Sequence, residues 1–484
     1  MDIVKITTNI EKFRNDIADE LRAYNHNTVE YKGEGDYFSF NVQVNITEDI
    51  AVDVETDLGG LYRHESYSFK DDKTLDEIEH KSYVKFCVKI STYKILEGIY
   101  GYSLPYGSLT GIRPTKLFRK YENLGEDAHK VFRERFLVSE EKTNLIEDIV
   151  NLQKAYLNTK EDHVDVFVNI PFCPSRCSYC SFVSTDITKQ RKYVKDYIKC
   201  LQREISVIKN IVLENKYKVR AVYIGGGTPS SLEVNELESI VKLLDFNQDE
   251  FTVEVGRPDT ITKPLLDMLE KYGVNRISIN PQTFNQKTLD RIGRRHSVEQ
   301  IYDAYNLARN YKFLINMDLI ALLPGETYED FVYSVKETIK LNPDNITIHT
   351  LALKIGSRLN EANYDNNDKF ESNLASKMVD VSKELVSKAG YVPYYMYRQK
   401  NMSGNLENTG YSKGIETACI YNIDIMEENT SILATGAGAI AKRMYLKENR
   451  LERLANMKNA KEYIERFDEN ILKTKKFWKK DNQN

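Results

Sequence analysis

Long apolar runs are absent from this chain of 484 residues: no span approaches twenty apolar residues, so no membrane-crossing helix is expected. Charge of one sign is not in excess either. The 68 basic residues nearly offset 72 acidic ones, and without a global field to recruit nucleic acid or an anionic membrane the partner has to be inferred from a local site. Cysteine is scarce, with six in the whole chain, which is no disulfide framework and suits a reducing cytoplasm. The start of the chain, Met1-Asp2-Ile3-Val4-Lys5 followed by Asn9, Glu11, Lys12 and Arg14, lacks the apolar centre of a secretory signal, and a cytoplasmic location is expected. Tryptophan occurs once, as Trp478, in the basic stretch Lys473 to Asn484 that reads as a solvated amphipathic end.

What is present is concentrated in one short stretch, Cys173-Pro174-Ser175-Arg176-Cys177-Ser178-Tyr179-Cys180. Three thiols at C-x3-C-x2-C spacing fall within a single tight loop. Thiolates are soft ligands suited to iron–sulfur clusters or zinc. Three from one loop cover three corners of a cubane and leave the fourth iron open to a substrate. A structural zinc site, the alternative, needs a fourth ligand, usually from a second Cys or His pair. Cys87, Cys200 and Cys419 stand alone in the sequence.

The length allows two or three domains. Residues 4 to 24 read as a helix, and Thr28 to Phe69 alternates polar and apolar positions around turn signals at Gly33-Glu34-Gly35-Asp36 and Asp57-Leu58-Gly59-Gly60, a small antiparallel meander. A helical stretch near Ser82 to Tyr100 follows. Two more helical patterns end near Asn158, which makes residues 1–160 an α+β domain of unassigned role. Within it, Leu109 to Lys116 reads as a loop ahead of a helix, whose Arg113 and Lys116 either hold a carboxylate-rich substrate or form a solvated basic loop.

From Val164 onward short β-branched runs alternate with amphipathic helical patterns. The runs are Val166 to Ile170, Val219 to Ile224, Phe251 to Val255, Arg276 to Ile279, Leu314 to Ile320 and Asn345 to Leu351. They predict an α/β core, residues 161–365, built as a partial (β/α)6 TIM-like barrel. Chemistry in such barrels sits where the strands end. The cysteine loop follows the first strand, Gly225-Gly226-Gly227-Thr228-Pro229 the second, Glu254 ends the third, Asn280-Pro281-Gln282 follows the fourth, and Asp318 lies late in the fifth. The glycines let a ligand approach bare backbone, whose carbonyls accept from an ammonium group; no Gly-Lys-Ser/Thr follows, so this is not a P-loop. Glu254 suits ribose hydroxyls, and Arg294 suits the carboxylate of an amino-acid ligand. A structural ion pair and a helix-face arginine are their plainer readings.

The run into Cys173, Ile170-Pro171-Phe172-Cys173, resembles the radical S-adenosylmethionine (SAM) superfamily, in which the open iron of a [4Fe-4S] cluster chelates SAM. Further signatures are Tyr223 to Pro229, Gln282-Thr283-Phe284, Gly293-Arg294-Arg295-His296-Ser297 and Asn316 to Gly325. As an ordered set they resemble the oxygen-independent coproporphyrinogen III oxidases or dehydrogenases and their haem-chaperone relatives. The resemblance implies cluster ligation by Cys173, Cys177 and Cys180. It implies SAM contacts from Gly226, Gly227, Thr228, Glu254, Gln282, Arg294 and Asp318, with Phe167, Tyr179 and Ala352 nearby. Leu109 to Lys116 and Tyr397 to Asn408 resemble the longer coproporphyrinogen dehydrogenase subgroup with an added amino-terminal domain. Three positions depart from the pattern: Phe167 stands where the family often has tyrosine, Asn169 where it often has histidine, and Phe182 where the oxidases carry another cysteine and the chaperone relatives do not.

The region 366–484 reads as an α+β extension closing the substrate side, with a helix at Lys369 to Ala389 and an aromatic strand at Tyr391 to Tyr397. Arg398 and Lys400 either hold the propionates of a tetrapyrrole or form a polar turn. Gly436-Ala437-Gly438-Ala439 reads as a tight turn beneath the cofactor. The resemblance implies radical decarboxylation of coproporphyrinogen III propionates to the vinyl groups of protoporphyrinogen IX through a 5′-deoxyadenosyl radical. It needs a one-electron donor such as flavodoxin or ferredoxin. The alternative that Phe182 motivates is a chaperone that keeps the cluster and SAM but binds and delivers haem. His296 and His349 have no part in this reading beyond a structural one.

Overall fold

The computed structural model describes residues 3–24, 27–29, 38–111, 113–182, 184–352, 369–399, 405–448 and 450–479. The chain divides into two compact units, residues 1–147 with 365–376 and 398–407, and residues 148–364 with 377–397 and 408–484. The division falls at 147 instead of 160, and no third unit corresponds to 366–484.

In the first unit, strands β1 (Ile3–Thr8), β2 (Asn27–Val29), β3 (Phe38–Ile46), β4 (Asp49–Asp57) and β5 (Tyr62–Lys70) form one sheet in the order β2-β1-β3-β4-β5. The meander β3-β4-β5 is antiparallel, while β1 runs parallel to β2 and β3. The expected opening helix is therefore a strand in its first part. Every residue of Ile3–Thr8 except Lys5 is β-branched and burial alternates along it, which is the period of a half-buried strand. The helix starts at Arg14. A longer helix, Glu77–Tyr100, opens on a capping box at Asp76 and Glu79 and stops at Gly101, which takes the left-handed conformation. Its Val84, Cys87 and Val88 join Val4, Ile6, Phe40, Val42 and Val52 in one core, which gives the isolated Cys87 a packing role.

The second unit is organised by an eleven-stranded sheet. Its centre is the expected array: β6 (His163–Ile170), β9 (Lys218–Gly226), β10 (Glu250–Gly256), β11 (Arg276–Ile279), β12 (Leu314–Ala321) and β13 (Asn345–Thr350), neighbours in that order and all parallel. Parallel neighbours require crossovers. Ile187–Asn215, Val234–Val241, Lys263–Lys271, Val298–Ala308 and Tyr328–Leu341 are the helices among them, the last opening on the Thr327/Asp330 capping box. The short pair β7 (Phe172–Cys173) and β8 (Thr185–Asp186) brackets the cysteine loop.

The carboxyl-terminal region lengthens this sheet at both edges. Here β14 (Val392–Tyr397) and β15 (Asn408–Ser412) add antiparallel strands beside β13, while β16 (Ser431–Thr435) lies parallel to β6 and leads to the antiparallel β17 (Ile440–Tyr445) and β18 (Arg450–Ala455). Trp478 is not solvated. It is 1% exposed and meets Tyr217 edge-on at 6.3 Å. The i, i+4 spacing of Asn470, Thr474 and Trp478 puts all three on the buried face of the helix Phe467–Trp478.

Candidate functional site

The cysteine loop is joined to the glycine loop by backbone. The Gly227 N–H donates to Ile170 O at 2.8 Å and the Thr228 N–H to Phe172 O at 2.7 Å, so the turn after β9 is fixed to the residues entering the loop after β6. A side chain at Gly227 would stand 2.5 Å from Phe172 O, and one at Gly226 would meet Asn169 Oδ1 at 1.7 Å. Only glycine permits this approach. The Thr228 hydroxyl points at Cys173 Sγ, 3.6 Å away. On the other flank, Ser178 N–H donates to Ile292 O at 2.9 Å and Ser175 Oγ to Gly293 O at 3.1 Å. Arg257 supports Ser175 with a 2.9 Å bond while its remaining donors grip Asp259.

The three thiols are free and half-buried to buried. Burial raises the Cys173 thiol above its ordinary range and pushes Cys180 up to about 11. Such thiols are released as thiolates when a metal binds them. Among the described residues no group of three His, Cys, Asp or Glu side chains surrounds a point where one ion would sit. A cubane presents three separate irons to its three thiolates, so its ligands need not share a point.

Beyond the cysteines, the strand ends carry a ring of polar groups. Glu254 on β10 is half-buried and accepts from the Tyr223 hydroxyl of β9. Burial lifts its carboxyl to about 7, against the Tyr223 hydrogen bond and with help from nearby Asp318. Asp318 on β12 accepts from Asn316 Nδ2 at 2.7 Å and lies 3.6 Å from His349 Nε2 of β13. Burial opposes its charge, but the His349 hydrogen bond and charge hold its carboxyl below the ordinary range. His349 Nδ1 in turn is 3.3 Å from the Tyr397 hydroxyl at the end of β14. Gln282 bridges to β12 through its main chain, donating to Asp318 O and accepting from Ile320, and does so with φ of 68°. Arg294 is buried and donates to Asn280 O. Ala352 lies just past β13 and is half-buried.

Among these residues Asn280 Oδ1, Gln282 Oε1 and Arg294 Nε are buried with no hydrogen-bond partner. Buried polar atoms left without partners call for one, and a bound ligand would supply it here. The donor set fits SAM: bare glycine backbone for an ammonium, an arginine N–H for a carboxylate, and acids for ribose hydroxyls. Phe167 lies in an aromatic layer, stacked with Tyr223 at 6.3 Å and with Tyr421 at 6.1 Å. Tyr179 is half-buried inside the cysteine loop, within reach of Arg294.

Among the expected substrate cations, those described belong to the first unit. Arg113 is the N-cap of the helix Pro114–Asn123 of the first unit and Lys116 lies in its first turn, each half-buried. Arg398, also of the first unit, is 3% exposed, lies 4.0 Å above the Tyr106 ring and donates to the carbonyls of Leu109, Gly111 and Asn405. These bonds hold that loop, and the Arg398 Nε has no hydrogen-bond partner. Lys400 lies outside the described residues, as does the turn Gly33 to Asp36.

Several supporting groups had no local sequence signal. Asn169 donates to Ala437 O, the Tyr197 hydroxyl donates to Asn169 O at 2.7 Å, and the Ala437 N–H donates to Tyr197 at 3.1 Å. The turn Gly436–Ala439 is thereby fastened to the end of β6. At the opposite end of the strands, Glu250 and Arg276 form a buried pair at 3.1 Å, and Glu250 also accepts from the Cys419 thiol at 3.1 Å. The one available hint was register: Glu250 and Arg276 each open a strand of the array.

Comparison with known proteins agrees with this geometry. The radical SAM superfamily model matches residues 168–337, from β6 to the helix after β12. The oxygen-independent coproporphyrinogen-III oxidase-like protein HemZ of Bacillus subtilis is 39% identical over 437 residues, 87% of this chain and 86% of its own length. Heme chaperone HemW of the same organism is 30% identical over 195 residues, 39% of this chain and 50% of its own. The oxygen-independent coproporphyrinogen III oxidase of Escherichia coli is 33% identical over 198 residues, 40% of this chain and 42% of its own. The solved structure of that enzyme, HemN, described as a radical SAM enzyme, shares the fold with a TM-score of 0.51 at 23% identity over 66% of this chain and 72% of the other. The chain therefore belongs to the radical SAM superfamily, in the group of oxygen-independent coproporphyrinogen-III oxidase-like proteins.

Proposed function

We propose that the protein is a coproporphyrinogen dehydrogenase that oxidatively decarboxylates porphyrinogen propionates, using a [4Fe-4S] cluster on Cys173, Cys177 and Cys180 and SAM held at the strand ends. The observation that carries this reading is the pair of backbone hydrogen bonds that sets Gly227 and Thr228 against the entrance to the cysteine loop. A bound cluster with an open iron supplies one-electron cleavage of SAM, and with it a carbon radical able to take hydrogen from an unactivated C–H bond. The chain's own residues do the rest. Gly226 and Gly227 offer bare backbone to the methionine end, Arg294 Nε faces its carboxylate, and Glu254 with Asp318 holds the ribose hydroxyls. At neutral pH Glu254 is near its midpoint of about 7 and can donate or accept to a hydroxyl. The aromatic layer of Phe167, Tyr223 and Tyr421 keeps water from the floor of the site. At each propionate the net change is loss of a hydrogen atom from the β-carbon, of CO2 and of one electron to an external acceptor, leaving a vinyl group.

A second reading, a haem-binding chaperone on the same cofactor site, is favoured by Phe182, which is 66% exposed two residues after Cys180. One experiment separates them. Reconstituted protein is incubated without oxygen with SAM, a reductant and coproporphyrinogen III, and 5′-deoxyadenosine, CO2 and vinyl product are measured. The dehydrogenase yields all three. Stoichiometric haem binding with no CO2 release identifies the chaperone, and deoxyadenosine without vinyl product discards this substrate.

A further inference from the structure

A second concavity, of about 600 Å³, lies against the cysteine loop in the same unit. Its wall includes Ser175 and Arg176, which stand between Cys173 and Cys177, and Gly293, which holds Ser175 through its carbonyl. The glycine loop, Glu254, Gln282 and Asp318 do not line it. Of the residues assigned to SAM only Arg294 lines it.

Its charge is one-sided. Arg176, Lys189, Arg294 and Arg295 face two acids, Asp186 and Asp290. Four cations against two acids leave the surface net positive: Asp186 caps the helix Ile187–Asn215 by accepting from the Thr188 N–H at 2.9 Å and feels the charges of Lys189 and Arg295, and Asp290 accepts from Gln286 at 3.0 Å. Lys189 and Arg295 are exposed, and among the described residues neither makes a direct ion pair. In a chain of net charge −4 this is a local positive surface, and Arg294, which lines it, also meets the Cys177 thiol.

Resting on the cofactor reading above, we propose that this concavity is the docking surface for a small acidic redox protein that passes single electrons to the cluster. Electron tunnelling falls steeply with distance, so a donor must approach the cluster closely. The strand ends hold SAM and substrate, which leaves the back of the cysteine loop. There Ser175 and Arg176, which stand between Cys173 and Cys177 in the chain, line the surface, and Lys189 with Arg295 supplies the complementary field that steers an acidic partner and fixes its orientation. In the step one electron leaves the reduced donor and enters the oxidised cluster; no bond or proton changes place at the surface.

The test uses the full-length reconstituted protein with SAM and two alternative reductants, an acidic reduced flavodoxin and dithionite. Lys189→Glu/Arg295→Glu is expected to lower flavodoxin-driven 5′-deoxyadenosine formation about tenfold at low ionic strength and to abolish its salt sensitivity, with the dithionite-driven rate unchanged. Lys189→Gln/Arg295→Gln, which introduces no repulsion, is expected to fall between. An unchanged flavodoxin rate in both variants overturns the proposal, as does an equal loss with both reductants, which would place these charges in the stability of the loop. No deoxyadenosine from the parent protein with dithionite would instead overturn the cofactor reading and this inference with it.

Discussion

Replacing Gly227 by alanine strikes the junction on which the site depends. The added methyl would stand 2.5 Å from Phe172 O and 2.8 Å from Ile170 O, the same carbonyls that accept from Thr228 and Gly227. Gly227 is not in the left-handed region, so the effect is purely steric. Backbone must move on one side or the other, and both hydrogen bonds lengthen. Overpacking costs about 1–3 kcal/mol and each bond adds about 1 kcal/mol, giving roughly 3–5 kcal/mol together. The assay pairs thermal unfolding of the apoprotein with iron and sulfide content after anaerobic reconstitution. Both are expected to fall. Gly98→Ala is the control, since it lies within a helix with nothing inside 4 Å and should gain about 0.5–1 kcal/mol. A Gly227→Ala protein with a full cluster and the parent's melting temperature would refute the reasoning.

Glu204 accepts from Tyr463 at 2.6 Å, Gly436 N and Asn470 at 2.8 Å, and Asn456 at 2.9 Å. Glu204→Ala strands three of these buried donors, Asn456 keeping Gly436 O, and should cost about 3–5 kcal/mol in denaturant unfolding, a loss that an unchanged midpoint would contradict. Because desolvation lifts the Glu254 carboxyl to about 7 in the fold from about 4.5 when unfolded, folded protein holds the extra proton between those values. Its contribution to stability is therefore full below 4.5 and declines as pH rises through 7. Relative to the parent, Glu254→Gln should gain melting temperature between about pH 5 and about pH 8; a constant difference would be inconsistent with this sign. Trp478, the only tryptophan, should emit at a short, buried wavelength and shift red on unfolding, whereas native emission typical of solvent would contradict its burial.

The cysteine loop and the six central strands were legible because their signals are local: thiol spacing in one case, β-branched runs bounded by turns in the other. Ile3–Thr8 was misread because its apolar positions serve a helical pattern as well as alternation, and only pairing with β3 decides between them. Arg398 looked like a rim cation, yet the Leu109 and Gly111 carbonyls that bind it are nearly three hundred residues earlier in the chain. The same holds for Asn169 with Ala437, and for Glu250 with Cys419. These cross-links join segments that no local pattern relates. The family's histidine position, here Asn169, shows the gain from structure: the sequence marks it only as a departure, and the fold gives its amide a hydrogen bond to Ala437 O.

The central claim is that one short loop supplies three ligands to a four-iron cluster and leaves the fourth iron for SAM. Electron paramagnetic resonance of the anaerobically reconstituted, reduced protein, with and without SAM, tests it most directly. The account predicts about four irons and four sulfides per chain, with a spectrum that changes when SAM is added. Zinc in place of iron, or a cluster spectrum indifferent to SAM, would contradict it.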